Sequence, residues 1–196
     1  MINWIIDLDT EVFRFINSNR SNAADWFFSV LSAHFFICLV VNGLALYLMF
    51  TYFKTRWWLF VLMIMLCVFL TDRISVVCFK NVFLRLRPTH DLEGVIACKL
   101  ENFQLIYTNK GGLYGFVSSH AMNVFGLSAF FIFFIKNKYL IITIAIWACL
   151  TGYSRIYCGY HYPLDVGCGA SLGVIIGAFC YFLLKKTRLK NLMPKT

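Results

Sequence analysis

Long apolar runs dominate the chain, and five of them are long enough to cross a bilayer as helices: residues 26–50, 57–79, 117–135, 139–157 and 164–184. Residues 1–18 follow another pattern. Asn3, Asp7, Thr10, Arg14 and Asn17 recur at helical spacing, and Trp4, Ile5, Val12, Phe13 and Ile16 fall largely on the other side. That pattern predicts an amphipathic helix lying in the membrane interface over residues 1–20, not a span. The expected fold is an all-α integral-membrane bundle of about five transmembrane helices plus this interfacial helix, forming a six-helix core. One domain over residues 1–196 accommodates it, with no internal repeat.

Composition strengthens this picture. The chain is 60% hydrophobic and only 14% charged, whereas soluble domains carry about a quarter charged residues. Its formal net charge of +9 raises the question of nucleic acid. The distribution of charge answers it. Lys54 and Arg56, then Lys136 and Lys138, then the tail residues Lys185, Lys186, Arg188, Lys190 and Lys195 occupy three stretches without a single acid. The positive-inside rule makes those stretches, including the 185–196 tail, cytoplasmic. Much of the positive charge is therefore a topology signal, and no nucleic-acid partner is expected. The N-terminal helix and the 89–116 connection are then extracytoplasmic. A connection of that length is usually functional, and Val95, Ile96, Phe103, Leu105, Ile106 and Tyr107 suit a segment lying on the membrane or over a site. The acidic start lacks a basic n-region and a small-residue cleavage site, so no cleavable signal peptide is expected.

Eight cysteines are present. Cys38, Cys67, Cys149 and Cys180 lie in apolar runs and read as small hydrophobes. Cys98, with Cys158 and Cys168, falls near the outer face, where a Cys98 disulfide is open. No Cys/His cluster has zinc spacing, and no acidic cluster suits a metal.

Polar residues collect at one membrane depth. Lys80, Arg85, Arg87 and Pro88 end the second run; Ser118, Ser119 and His120 begin the third; Ser154, Arg155, His161 and Asp165 surround the outer turn between the last two. Lys80 and Arg87, seven apart, share a helix face, and Pro88 disfavours helical geometry at Arg87 and ends the helix there. The alternative reading of such cations is snorkelling at a helix end, which is preferred for Arg85. Ser118 or Ser119 can cap the third helix, whose N-terminal N–H groups suit an anion, with His120 in the first turn. The alternative for His120 is a packed or capping histidine. Pro163 suits the first turn of the last helix, and Asp165 lies four residues from His161. A carboxylate there can hold the imidazole tautomer; otherwise it is a helix-capping aspartate beside a surface histidine. Asp72 and Arg73, inside the second run, are read as structural groups between helices.

These groups resemble the three signatures of the type 2 phosphatidic acid phosphatase family, KxxxxxxRP, PSGH and SRxxxxxHxxxD. The first matches KNVFLRLRP, Lys80 to Pro88, and the third matches SRIYCGYHYPLD, Ser154 to Asp165. The second is VSSH, with Val117 for the family's proline and Ser119 for its glycine. The resemblance covers residues 70–180. It implies a metal-independent, cofactor-free lipid phosphate phosphatase, with His161 as nucleophile, Asp165 orienting it and His120 protonating the leaving oxygen. Lys80, Arg87, Arg155, Ser118, Ser119 and Ser154 would hold the phosphoryl group. The vanadium haloperoxidases share these signatures, but the spans favour a lipid substrate.

The same residues would serve a lipid phosphotransferase; a lipid transporter is the reading from another class. Phosphatidic acid, phosphatidylglycerol phosphate, undecaprenyl diphosphate and a lipid A phosphate all fit the site, and a bacterial inner membrane with outward chemistry favours the last two. Oligomeric state is not legible.

Overall fold

The computed structural model describes residues 2–52, 57–108 and 111–186. The chain runs through α1 (Ile2–Ser18), α2 (Asn22–Ser32), α3 (His34–Tyr52) and α4 (Trp57–Ile74). A π-helical segment (Ser75–Lys80) and α5 (Asn81–Phe83) prolong α4. After α6 (Pro88–Asp91) come β1 (Cys98–Glu101) and β2 (Gln104–Tyr107), then α7 (Ser119–Ile132), α8 (Lys138–Tyr157) and α9 (Pro163–Lys186). Among the described residues, four helices are long and apolar enough to span a membrane: His34–Thr51, Trp57–Phe83, Lys138–Tyr157 and Pro163–Lys186. The expected third span is realised as α7, an apolar helix of only 14 residues, or about 21 Å at 1.5 Å per residue.

The run expected to cross as 26–50 is two helices. Asp25, Ser29 and Ser32 are buried along one face of α2, a spacing of four and three. Asp25 accepts hydrogen bonds from Tyr107 and Tyr157, each at 2.7 Å, and pairs with Arg20 at 3.0 Å. That polar face holds α2 against the bundle, and the chain breaks at Ala33 before starting the true span. Averaged hydropathy hides such a stripe among phenylalanines.

α7 is the axis of the bundle. Gly169, Gly173 and Gly177 of α9 repeat every fourth residue and let its backbone approach α7 closely. A Cβ on Gly173 would lie 2.4 Å from the Met122 carbonyl oxygen, and one on Gly177 2.1 Å from that of Gly126. Between α7 and α4, Thr71 donates to the Asn123 side-chain oxygen. Toward the end where α7 and α8 meet, Phe60, Phe130, Phe131 and Phe134 are almost fully buried. Phe60 contacts the other three with ring centroids 5.5–6.2 Å apart.

α1 lies against this bundle as an amphipathic helix. Phe13, Asp9 and Asn17 are buried, whereas Trp4, Ile5, Leu8, Val12 and Phe15 are exposed. Asn17 donates to the carbonyls of Ile96 and Tyr157 at 2.9 and 3.0 Å. The 89–116 connection is not structureless: β1 and β2 pair antiparallel, turning through Asn102 and Phe103 at positive φ. The described cysteines are free thiols, and the Cys98 disulfide left open above is not formed. Asp72 and Arg73 do not bridge helices; both are exposed, and Arg73 lies over Phe69 of its own helix, 5.7 Å away. The Lys54–Arg56 loop and the tail from residue 187 fall outside the described residues.

Backbone-to-backbone packing makes α9 intolerant of added volume. Gly177→Ala should destabilise the detergent-solubilised protein by about 1–3 kcal/mol, read as a lowered melting temperature. Gly43→Ala, whose Cβ meets nothing within 4 Å, should not lower it. Equal melting temperatures for both variants would contradict the close α7–α9 contact.

Candidate active site

Three backbone devices bring the polar residues together. The first is the π-helical segment ending in Lys80. Such segments shift helical phase and are frequent at functional sites. The helix then stops at Phe83, because Leu84 turns left-handed at φ 49°. Arg87 is therefore not on the Lys80 helix face, as expected from a helix reaching Pro88. It is extended and opens α6 instead. Its N–H donates to the Leu113 carbonyl at 3.0 Å, and its Nε to the Tyr114 carbonyl at 3.3 Å. The 111–116 segment thus wraps the arginine, and at Gly115 a Cβ would sit 2.9 Å from the Asp165 carboxylate.

The second device is the α7 N-terminus. Ser118 is its cap, accepting from the Ala121 N–H at 3.4 Å, while its own N–H donates to the Asp165 carbonyl at 2.9 Å. Ser119 fills the family's glycine position. Its hydroxyl accepts from Lys80 Nζ at 2.8 Å and lies 2.7 Å from the Ser75 hydroxyl. The substitution thus supplies an oxygen that aims the lysine. His120 follows, with Nε2 buried and without a hydrogen-bond partner. Its ring lies 4.4 Å from that of His34, at the start of α3.

The third device is the turn from α8 to α9. The N–H groups of Tyr160 and His161 both donate to the Arg155 carbonyl, at 3.1 and 3.2 Å, which folds His161 back over the end of α8. Arg155 is buried, donates to the Ser32 hydroxyl and stacks on Tyr160 with its guanidinium carbon 4.6 Å from the ring centroid. Its Nε has no partner. Ser154 does not join the group: its hydroxyl donates to the Thr151 carbonyl of its own helix at 2.7 Å.

His161 is 1% exposed and Asp165 0%. Nδ1 of His161 lies 3.5 Å from Oδ2 of Asp165, a loose contact of the kind that tightens when substrate binds. Burial pushes the His161 imidazole well below its ordinary range, and the cations Arg87, Arg155 and Lys80 push it further; a backbone hydrogen bond at Gly115 opposes them. Burial and these cations thus favour the neutral ring, which keeps a lone pair. Burial likewise lowers Arg87, while Asp165 and Tyr160 support its charge. Among the described residues, no group of three or more His, Cys, Asp or Glu side chains is placed to hold a metal ion. Cations, hydroxyls and a helix N-terminus beside a buried histidine are an arrangement able to hold an anion next to a ring nitrogen.

Two participants were not expected. Arg85, read above as snorkelling, bridges Asp9 and Asp165 at 2.6 and 3.0 Å. Asp9 was outside the polar stripe assigned to α1. The spacing of Asp9, Phe13 and Asn17, four apart, was the available signal for the face that packs inward.

A cavity of about 750 Å³ leads away from His120 and Arg155. Trp26, Phe35, Phe36 and Phe103 supply apolar walls, while His34, Lys99 and Asn102 add polar groups.

Comparison with known proteins gives a consistent result. The family model described as PAP2 superfamily matches residues 56–189. The chain is 32% identical to a lipid A 4'-phosphatase of Bacteroides thetaiotaomicron, over 99% of this chain and 85% of the relative. It is 31% identical to a lipid A 4'-phosphatase of Porphyromonas gingivalis, over 92% and 74%. The fold matches the crystal structure of a transmembrane PAP2-type phosphatidylglycerolphosphate phosphatase from Bacillus subtilis, with TM-score 0.74 and 20% identity, over 96% of this chain and 90% of that one. The chain belongs to the PAP2 superfamily. It is an all-α integral-membrane lipid phosphatase, a phosphoric ester hydrolase.

Proposed function

We propose that this protein removes a phosphate from a lipid A-type glycolipid of the cell envelope through a phosphohistidine on His161. The observation that carries the reading is the enclosed, neutral His161, set between the Asp165 carboxylate and the cations Lys80, Arg87 and Arg155. The two relatives named lipid A 4'-phosphatases, aligned over nearly the whole chain, support the substrate class. The cavity supports it too, since a polar end with aromatic walls suits an amphiphile.

In the first half-reaction, Nε2 of His161 forms a bond to phosphorus while the bond from phosphorus to the lipid oxygen breaks. Nδ1–H faces Asp165, which holds the tautomer and stabilises the imidazolium character that develops. Lys80, Arg87 and Arg155 take the phosphoryl oxygens, with the α7 N-terminus at Ser118 and Ser119 adding donors. The phosphate's negative charge allows His120 to carry a proton among these cations, and His120 donates it to the departing lipid oxygen. In the second half-reaction water gives its proton to His120 and attacks phosphorus. The phosphorus–nitrogen bond breaks, and inorganic phosphate leaves. The cations supply the charge stabilisation that a metal supplies in other phosphoryl-transfer sites.

The His34–His120 cavity is the exit of the leaving group in this scheme. The site faces the extracytoplasmic side and the C-terminus the cytoplasm, a reading supported by the acid-free clusters at Lys54–Arg56, Lys136–Lys138 and the tail.

Rapid-quench trapping in the presence of chelator tests the chemistry. His161→Ala should form no acid-labile phosphoenzyme from lipid A phosphate or from p-nitrophenyl phosphate. His120→Ala should slow phosphoenzyme formation by about 10²–10⁴-fold with the lipid, since general acid catalysis contributes that much, and much less with p-nitrophenolate as leaving group. An adduct that survives His161→Ala and vanishes in His120→Ala would reverse the two roles. A protein that releases phosphate from phosphatidic acid or undecaprenyl diphosphate but not from lipid A would overturn the substrate class.

Orientation has its own measurement. In intact cells, Glu101→Cys should react with a membrane-impermeant thiol reagent added outside, and Lys138→Cys should not. The opposite pattern would place the site in the cytoplasm.

A further inference from the structure

Arg85 and Asp9 form a chain of contacts that ends on the partner of His161. Oδ1 of Asp165 accepts from Arg85 Nη1 at 3.0 Å, and Oδ2 accepts from the Tyr162 N–H at 3.1 Å while lying 3.5 Å from His161 Nδ1. Each oxygen thus has a separate duty, and Arg85 sets the rotation of the carboxylate that aims Oδ2 at the ring. Arg85 is itself held on three sides. Nη2 donates to Asp9 Oδ2 at 2.6 Å, and the guanidinium carbon lies 4.2 Å from the Tyr162 ring centroid. Tyr162 is pinned by its hydroxyl, which donates to Asp91 at 2.6 Å, and by an edge contact with Phe13 at 5.4 Å. The other oxygen of Asp9 accepts from the Leu164 N–H at 2.8 Å, at the start of α9. The side chains of Asp9 and Asp165 are 2% and 0% exposed, so these pairs work with little screening.

Asp9 belongs to α1, outside the residues 56–189 that the family model matches. Its burial is not what anchoring at an interface requires. An interfacial helix needs exposed apolar residues and polar groups in water, whereas this carboxylate faces the protein. A buried carboxylate is retained at lower cost when it is fully paired, and here its pairs are a guanidinium and a helix N-terminus that both serve the catalytic turn.

We infer that Asp9 and Arg85 are positioning residues for the phosphatase reaction and that α1 completes the active site as well as lying at the membrane. The inference rests on the reading of Asp165 as the group that orients His161. Asp9 touches neither substrate nor His161 in this scheme; it acts through Arg85 on Asp165. Arginine is needed at 85 because its fork meets two carboxylates at once, which a lysine ammonium cannot reproduce with the same geometry.

A double-mutant cycle on the full chain in detergent tests it, with p-nitrophenyl phosphate as substrate. Wild type, Asp9→Asn, Asp165→Asn and the double variant are compared for kcat, KM and melting temperature. Outer groups that orient a reacting group are worth about 10–100-fold, so Asp9→Asn should lower kcat by about that factor and leave KM within about twofold. In the Asp165→Asn background the same change should have almost no further effect on kcat. Arg85→Lys, which keeps the charge, should show the kcat loss even if Asp9→Asn folds poorly. Equal fractional losses in both backgrounds, or a lowered melting temperature with kcat intact in both Asp9→Asn and Arg85→Lys, would reduce the chain of contacts to a structural tie and overturn the inference. An Asp165→Asn variant with unchanged kcat would instead remove the premise about His161, a separate outcome.

Discussion

Asp165 is a carboxylate with no exposed surface at the first turn of a membrane helix, and every polar contact around it serves to pair it. Its Oδ1 bonds Arg85, its Oδ2 receives the Tyr162 N–H and faces His161, and its backbone carbonyl receives the Ser118 N–H that starts α7. An isolated ion in that position would cost several kcal/mol after relaxation. Four cationic side chains, Lys80, Arg85, Arg87 and Arg155, are gathered around the buried carboxylates Asp9 and Asp165, with Asp72 acting on Lys80 from farther out. Positive charge thus outweighs negative around Asp165, the balance that the proposed phosphate substrate requires.

That arrangement requires helices that do not shift. Glycines let α7 and α9 approach through their backbones, and both helices begin at the candidate site, at Ser118 and Pro163. A Cβ on Gly169 would lie 2.7 Å from the Ser118 carbonyl oxygen, so the close backbone approach extends to the start of α7, next to Ser118, His120 and Asp165. α8 enters from the other side through the Arg155 carbonyl, which holds His161 in its turn. The scaffold thus uses short-range steric contact where a soluble enzyme relies on hydrophobic burial, since lipid offers apolar side chains little reason to leave it.

Much of this was legible in the sequence, for a physical reason. Bilayer thickness makes spans visible as apolar runs, and charge in a membrane is costly enough that every ionisable group near a span end invites a function. His161 and Asp165 could be paired because four residues across a proline-started helix keep them near each other. What escaped was long-range. Arg85 finds its partners 76 and 80 residues away in sequence, so no local spacing reports them. The break at Ala33 escaped because Asp25, Ser29 and Ser32 are diluted by aromatic neighbours in a hydropathy average. The helix end at Phe83 escaped because Leu84 adopts a left-handed conformation that leucine seldom takes. The β1–β2 hairpin escaped because its strands are only four residues each.

In the proposed mechanism, phosphorus is attacked by His161 from inside the cluster of Asp165, the cations and the two histidines. A transition-state mimic addresses it without relying on loss of function. A structure of the wild-type protein with orthovanadate should show vanadium bonded to Nε2 of His161, its equatorial oxygens on Lys80, Arg87 and Arg155, and His120 toward the opposite apical oxygen. Vanadate bonded to His120 instead, or held outside the cluster with His161 still bonded to the Gly115 backbone, would contradict the account.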